Sequence, residues 1–498
     1  MDFYSTRGEG PVSGARAVIN GIAKDGGLYV PSVFPTLTMS EIEDFTELDY
    51  PQRAAYIMNK YLTEFTYDEL LDYTQKAYGR FDGYPAPLTK IDEGAYIMEL
   101  WHGPTFAFKD IALTVLPYLL DGCKKKENEQ SKTLILVATS GDTGKAALEG
   151  FKDVPNTEIV VLYPSEGVSN MQKLQMITTE GKNTHVIGIN GNFDDAQTAV
   201  KNIFGNQEMR KKIAECGYEL SSANSINFGR LLPQIVYYVS SYVDLLAEGE
   251  INPGDEVDFV VPSGNFGNVL AGYYAKRMGL PVKHLIVASN INNVLTEFFS
   301  NGVYDANREF HKTMSPSMDI LVSSNLERLI YEVLNRNSEK VVELMKELKT
   351  SGYYSIEEDA LYDAVPEFWG YYSTEEETKE IIGNVFDEYG YLLDPHTAVG
   401  VSAYFKYLNE IIDDAPAVIL STANPYKFPQ SVLEAVSQST ETDAFKAIKK
   451  LNSVTGAEIP EGIANLKEKP ILHTTVAEKE QIFDAVLSAI NNNGQKRE

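Results

Sequence analysis

Cysteine is scarce in this chain. Two residues, Cys123 and Cys216, stand far apart in 498, in no CxxC pair and in no Cys/His cluster. That excludes the usual thiolate zinc sites, and no metal is expected. Positive charge is short as well: 43 Lys and Arg face 71 Asp and Glu, for a net charge of −28. A nucleic-acid backbone is bound by clustered Lys and Arg, and anionic membranes attract basic surfaces. Neither is an expected partner. A small anionic ligand therefore requires a locally positive site within an acidic surface. No uninterrupted apolar run approaches the ~20 residues of a membrane-spanning helix. The opening MDFYSTRGEG lacks the basic-then-apolar pattern of a secretory leader. A reducing, cytoplasmic setting fits these features. Repeats of fixed period and low-complexity segments are also missing.

What is present is ordinary for a globular chain: 43% hydrophobic and 23% charged residues. At ~150 residues per domain the length suggests about three domains' worth of chain. Residues 1–90 are rich in Tyr and punctuated by Pro. FYSTRG and GGLYVP read as extended, and SEIEDFTELDYPQRAAYIMNKYL carries helical spacing, with Ser40 and Glu43 placed for a capping box. Gly83 to Pro87 breaks the regularity. Short β-rich runs then alternate with helical stretches. Strands are predicted at 133–139, 158–163, 184–189, 257–261, 284–289 and 417–421, and helices at 145–151 and from about 170 and 194. Such alternation predicts parallel sheets with helices on both faces, with ligands at the carboxyl ends of the strands. Residues 327–390 are acidic and read as helical, with EEET at 375–378 a solvated helix start. From about 440 the chain reads as surface helices.

The stretch LWHGPTFAFKDIAL, 100–113, sets Lys109 among Phe106, Phe108 and Ile111, beside Asp110. Two readings of Lys109 stand on these residues alone. It is either a helical lysine with its head in water or a buried amine of low pKa fit to be a nucleophile or base. SGNFGN, 263–268, follows the strand VDFVV and precedes a helical run. Its two glycines and the helix N-terminus suit a phosphate. ATSGDTG, 138–144, repeats that geometry, with hydroxyls on Ser140 and Thr143 as donors. Asp142 is an acid in an anion site, expected to order the loop by facing backbone N–H groups or to cap the helix. His102 and His396 carry no assigned role.

Seven segments in order resemble the threonine synthases, a family of fold-type-II pyridoxal-phosphate (PLP) enzymes. They are FYSTRG, HGPTFAFKD and ATSGDTG, then SANSINFGR at 222–230, SGNFGN, SPSMD at 315–319 and DPHTAVG at 394–400. STANPYKFP at 421–429 extends the match. The resemblance implies a tryptophan-synthase-β-like α/β fold with two PLP-binding domains plus an N-terminal domain. The divisions expected are 1–90, 91–240 with the lysine and the SGDTG loop, 241–450 with the phosphate loop, and a helical extension at 451–498. It implies that Lys109 carries PLP, and that Gly264, Asn265, Phe266, Gly267 and Asn268 hold the PLP phosphate. Thr422 would meet the ring nitrogen, and the SGDTG loop, with Ser140 and Thr143, the substrate α-carboxylate. It also implies a carbon–oxygen lyase acting on O-phospho-L-homoserine as a monomer or homodimer. Where the family pattern has His-Pro-Ala-Lys-Phe, this chain has Asn424-Pro425-Tyr426-Lys427-Phe428; Asn cannot relay a proton as His can.

For the substrate's own phosphate, Arg230 and Lys427 are the expected cations, one offering a bidentate fork and the other a point charge. Two alternatives remain at this level. One is another enzyme of the same fold, a phospholyase or a serine/threonine dehydratase. The other is a catalytically dead, ligand-binding homologue.

Overall fold

The computed structural model describes residues 1–139, 141–166 and 168–492. Two sheets carry the active-site loops. The larger has six strands in the order Phe368–Tyr372, Val282–Ser289, Val257–Pro262, Ala417–Ser421, Ala95–Glu99 and Leu88–Asp92. All neighbours run parallel except the last pair, a hairpin. The smaller is wholly parallel, in the order Val476–Glu478, Thr184–Asn190, Thr157–Pro164, Lys132–Ala138 and Tyr218–Ser221. The predicted α/β class and the six predicted strands are present, with ends displaced by one or two residues.

The central strands have no solvent face. Every residue of Thr157–Pro164, Val257–Pro262 and Ala417–Ser421 is buried, which explains why these runs read as apolar rather than alternating. Each fully buried Val or Ile among them contributes about 1.5–3 kcal/mol. The Phe228–Ala247 helix is buried along nearly all its length. The Pro395–Glu410 helix packs against Val257–Pro262, Val282–Ser289 and Ala417–Ser421.

Several expectations need correcting. The capping box lies at Thr38 and Glu41, not at Ser40 and Glu43. Thr38 has extended backbone and accepts the Glu41 N–H, whereas Ser40 is already inside the Met39–Asp44 helix. The helical run that follows is not continuous. It restarts at Tyr50–Tyr61 behind a second capping box, Asp49 with Gln52. Phe368–Tyr372 is a strand within the region read as helical. The sheets also cut across the expected divisions at 91 and 451: Leu88–Asp92 and Ala95–Glu99 complete the larger sheet, and Val476–Glu478 the smaller.

The N-terminal segment reaches the site through a chain of polar contacts. Asp2–Ser5 pairs with Val12–Ser13 and Tyr29–Pro31. Beyond it, Thr6 Oγ1 donates to Glu327 at 2.6 Å, and Arg7 adds two bonds to the same carboxylate at 3.0 and 2.8 Å. Next in sequence, Arg328 is fully buried and donates to Asn325 Oδ1 at 2.6 Å. Asn325 in turn holds the Asn265 carbonyl. No described helix is long and apolar enough to cross a membrane.

Candidate active site

Lys109 opens the short helix Lys109–Leu113. The turn before it is clamped by Asp110, which accepts the Thr105 N–H and hydroxyl at 2.7 and 2.6 Å. This clamp needs Gly103, where a Cβ would lie 2.5 Å from Asp110 Cβ. Residues 106–108 are then stitched to 422–424. Phe108 N–H donates to the Thr422 carbonyl at 2.9 Å and Asn424 N–H to the Phe106 carbonyl at 3.0 Å. Lysine and Thr422 thus share one rigid corner. Burial pushes the Lys109 amine below its ordinary range; Lys427 and Arg230 push the same way, against Asp142 and Asp110. Lys109 is half-buried, and its amine turns to Ser317 Oγ on the cavity wall. A lowered amine is the form that attacks carbonyls and takes protons.

Burial raises Asp110 to about 6. An unfolded Asp titrates near 4, so its folded-state pKa is the higher one. The stability it contributes is fully present below about pH 4 and is lost as pH rises through about 6. Asp110→Asn is expected to gain on the wild type by roughly 1–3 kcal/mol between pH 4 and 7, beyond a fixed offset from the altered Thr105 bonds. Denaturant melts at both pH values measure the difference; parallel curves would sink it.

A cavity of about 500 Å³ opens beside Lys109 at the carboxyl ends of both sheets. Gly264, Asn265, Phe266, Gly267 and Asn268 all line it, as do Thr143, Arg230 and Thr422. Phe266 adopts a left-handed backbone, φ 62°, immediately before the Gly267–Met278 helix. Its ring packs against Phe299 and Phe368, each 5.8 Å away and themselves stacked at 5.0 Å. The loop's carbonyls are spoken for, Gly264 O by Ser323 Oγ and Asn265 O by Asn325. The N–H groups of Gly264 to Gly267 have no acceptor among the described residues. Tyr237 and Tyr238 both donate to Asn268 Oδ1, at 2.5 and 2.9 Å, leaving Asn268 Nδ2 without a partner. Arg230 Nε likewise has no partner among the described residues. Buried donors left over around a bent loop at a helix N-terminus fit a phosphate.

The steric constraint falls on Gly264 more than on Gly267. A Cβ at Gly264 would lie 2.8 Å from the Ser317 carbonyl, whereas one at Gly267 meets only Asn325 Nδ2 at 3.3 Å. Gly264→Val is expected to lower cofactor retention at least about tenfold, equivalent to ~1.4 kcal/mol, while leaving the far helices folded. Equilibrium dialysis measures it, and unchanged retention would count against the cradle.

At the SGDTG loop Thr139, not Asp142, orders the backbone. Its Oγ1 accepts the N–H groups of Gly141 and Gly144, both at 3.1 Å. Gly144 permits this approach, since a Cβ there would sit 2.3 Å from Thr139 Cγ2. Among the described residues Asp142 neither caps the Asp142–Phe151 helix nor meets loop N–H groups. Its carboxylate pairs with Lys427 Nζ at 3.1 Å, both side chains buried. Burial alone would raise Asp142, but Lys427 and Lys109 outweigh it and hold the carboxyl below its ordinary range. Ser140 lies outside the described residues. Lys427 also donates to the Thr105 carbonyl at 2.8 Å, so it stands behind Asp142 rather than on the cavity wall. Arg230 is pushed down to about 10 by burial and donates to the Ala223 carbonyl.

The residues around Lys109 also include some that carried no sequence signal of function. Ser317 Oγ lies 3.4 Å from Lys109 Nζ, and His396 lines the cavity. Phe193, Gln197 and Val200 form one wall from a single helix face. His102 lies apart, bonded to Glu99 and stacked on Trp101. Asn424, which replaces the family's His, accepts the Tyr426 N–H and caps the turn Pro425–Lys427.

A half-buried lysine of lowered pKa beside a glycine-rich loop suited to an anion fits a PLP-dependent enzyme of fold type II, and residues 81–423 match the family described as pyridoxal-phosphate dependent enzyme. Residues 2–78 match the threonine synthase N terminus and 397–487 the threonine synthase C-terminal family. The chain belongs to the threonine synthase family. It is 42% identical to threonine synthase of Pseudomonas aeruginosa, covering 87% of this chain and 90% of that one. With threonine synthase of Schizosaccharomyces pombe it shares 38% identity, covering 89% and 90%. A crystal structure of PLP-bound threonine synthase from Brucella melitensis superposes with a TM-score of 0.88 at 36% identity over 99% of both chains.

Proposed function

We propose that the chain converts O-phospho-L-homoserine and water to L-threonine and phosphate, and that the residues around Lys109 divide that work as follows. The observation that carries the proposal is the half-buried amine of Lys109 on one cavity with two separate helix N-termini, each suited to receive an anion. Gly264 to Asn268 hold the cofactor phosphate through backbone N–H groups, and Thr422 meets the ring nitrogen with a neutral hydroxyl. When bound, PLP supplies an electron sink for the charge that develops at the substrate's α-carbon. Lys109 would hold the cofactor, and its free amine would move protons at the substrate carbons. Thr143 and the N-terminus of the Asp142–Phe151 helix receive the α-carboxylate. Arg230 supplies the cationic fork for the substrate's phosphate, and Lys427 adds positive potential from behind Asp142.

Purified protein loaded with PLP and given O-phospho-L-homoserine tests the proposal. Equal amounts of phosphate and threonine are expected. Phosphate released with a 2-oxo acid would make it a phospholyase instead. Turnover of L-serine or L-threonine in place of the phosphate ester would make it a dehydratase.

A further inference from the structure

The turn Pro316–Met318 enters the site from the larger sheet's side and places Ser317 against the lysine. Its Oγ accepts from Lys109 Nζ at 3.4 Å and makes no other hydrogen bond among the described residues. Ser317 lines the cavity, so its own hydroxyl proton is free to point at a bound substrate. The turn is fixed from behind. Ser317 N–H donates to His396 Nε2 at 3.1 Å, and His396 Nδ1 lies 2.8 Å from Asp394 Oδ1. An Nε2 that accepts carries no hydrogen, so the ring is neutral with its proton on Nδ1, aimed at Asp394. Asp394 also accepts the N–H groups of His396 and Thr397 and the Thr397 hydroxyl. His396 is 2% exposed and meets the Phe428 ring edge-on at 5.0 Å. No titration is asked of this support; it sets the position of one oxygen.

We propose that Ser317 is a proton-relay residue between Lys109 and the substrate's γ-carbon, held in place by His396 and Asp394. This rests on the phosphohomoserine reading above. In that reaction the γ-carbon loses phosphate and becomes a methyl group, so it must gain a hydrogen. It lies two carbon–carbon bonds beyond the α-carbon at which Lys109 takes its proton. In the relay, protonated Lys109 gives one proton to Ser317 Oγ as Ser317 gives its own hydroxyl proton to the γ-carbon. The carbon supplies the electron pair for the new C–H bond. Lys109 is left neutral and Ser317 is again a hydroxyl.

The test uses the holoenzyme in deuterated buffer. Ser317→Ala is expected to slow threonine formation about 10- to 100-fold, while exchange of the substrate's α-hydrogen stays within about twofold of wild type, so that the ratio of exchange to product rises at least about fivefold. Ser317→Thr restores the hydroxyl and most of the rate. His396→Leu, which deletes the acceptor for the Ser317 N–H, moves the ratio in the same direction. Independently of turnover, the pH midpoint of the bound cofactor's visible band falls in Ser317→Ala, because a cationic nitrogen loses an oxygen partner. If exchange and product fall together, Ser317 only places Lys109 and the relay is overturned; it is equally overturned if neither falls, or if the midpoint is unmoved. A wild type that forms a 2-oxo acid rather than threonine sinks the function reading. A wild type that forms threonine beside an equally fast Ser317→Ala sinks the relay alone.

Discussion

Replacing Lys109 with alanine is expected to remove turnover by at least about three orders of magnitude while leaving the fold intact. General acid–base transfer alone accounts for about 10²–10⁴ in rate, and in the proposed arrangement the same side chain also tethers the cofactor. Stability should hold, because Lys109 forms no ion pair among the described residues and desolvation already disfavours its charged form. The visible absorbance of the lysine-bound cofactor is expected to vanish with the amine. Cofactor content is expected to fall only in part, since the proposed Gly264 to Asn268 cradle would still bind the phosphate. Borohydride reduction followed by peptide mapping checks the tether: a reduced lysine adduct persisting in Lys109→Ala would sink the assignment. Lys109→Arg makes a useful companion, for it keeps a cation in the cavity yet cannot present a neutral amine.

Much of this site was legible because its parts are short loops at the ends of strongly apolar strands. Thr133 to Thr139 and Val257 to Val261 announce themselves by composition, and glycine-rich loops follow each one. The elements that escaped are those whose identity depends on a neighbour. FWGYY at 368–372 is a strand only because Val282–Ser289 offers it an edge; alone it is an aromatic run inside an acidic, helix-prone region. Val476–Glu478 joins a sheet whose other strands lie far upstream. Thr38 and Ser40 each stand three residues before a glutamate, and only the backbone angles choose between them. The same limit governs the side chains. Ser317 stands 208 residues from Lys109 in sequence, with nothing in SPSMD to announce a hydroxyl beside the amine. Asp142 was read as loop or cap chemistry because its true partner, Lys427, is brought to it by the closing of one sheet's loop on the other's. The polar chain from Thr6 and Arg7 through Glu327 and Asn325 to Asn265 is likewise a tertiary fact. It gives the otherwise opaque FYSTRG segment a purpose, bracing the Gly264 to Asn268 loop, the proposed phosphate cradle, from outside.

The Asp142–Lys427 pair carries the second large effect, and its removal separates two roles that a single substitution confounds. Both side chains are buried, at 10% and 3% exposure, and Lys427 Nζ spends its remaining reach on the Thr105 carbonyl. Truncating one member of such a pair leaves an uncompensated charge in the interior, at a cost of about 3–5 kcal/mol. Lys427→Ala should therefore melt much earlier than wild type, with the unpaired Asp142 carboxylate now facing Lys109 alone. That carboxylate would also draw Lys109 back toward its charged form, the wrong one for accepting a proton. Turnover is expected to fall about 100-fold or more by these routes even if Lys427 never influences substrate phosphate. Adding Asp142→Asn removes the orphaned charge. If the pair serves only to join the two loops, Lys427→Ala/Asp142→Asn regains most of the stability and most of the kcat/KM together. If Lys427 also supplies potential to the substrate's phosphate, stability returns while kcat/KM stays about 10-fold down, with the loss in KM rather than kcat. Melting curves and steady-state rates on the three variants decide it. A Lys427→Ala protein as stable and as active as wild type would refute both roles, because no buried carboxylate in this cavity could be left unpaired without effect.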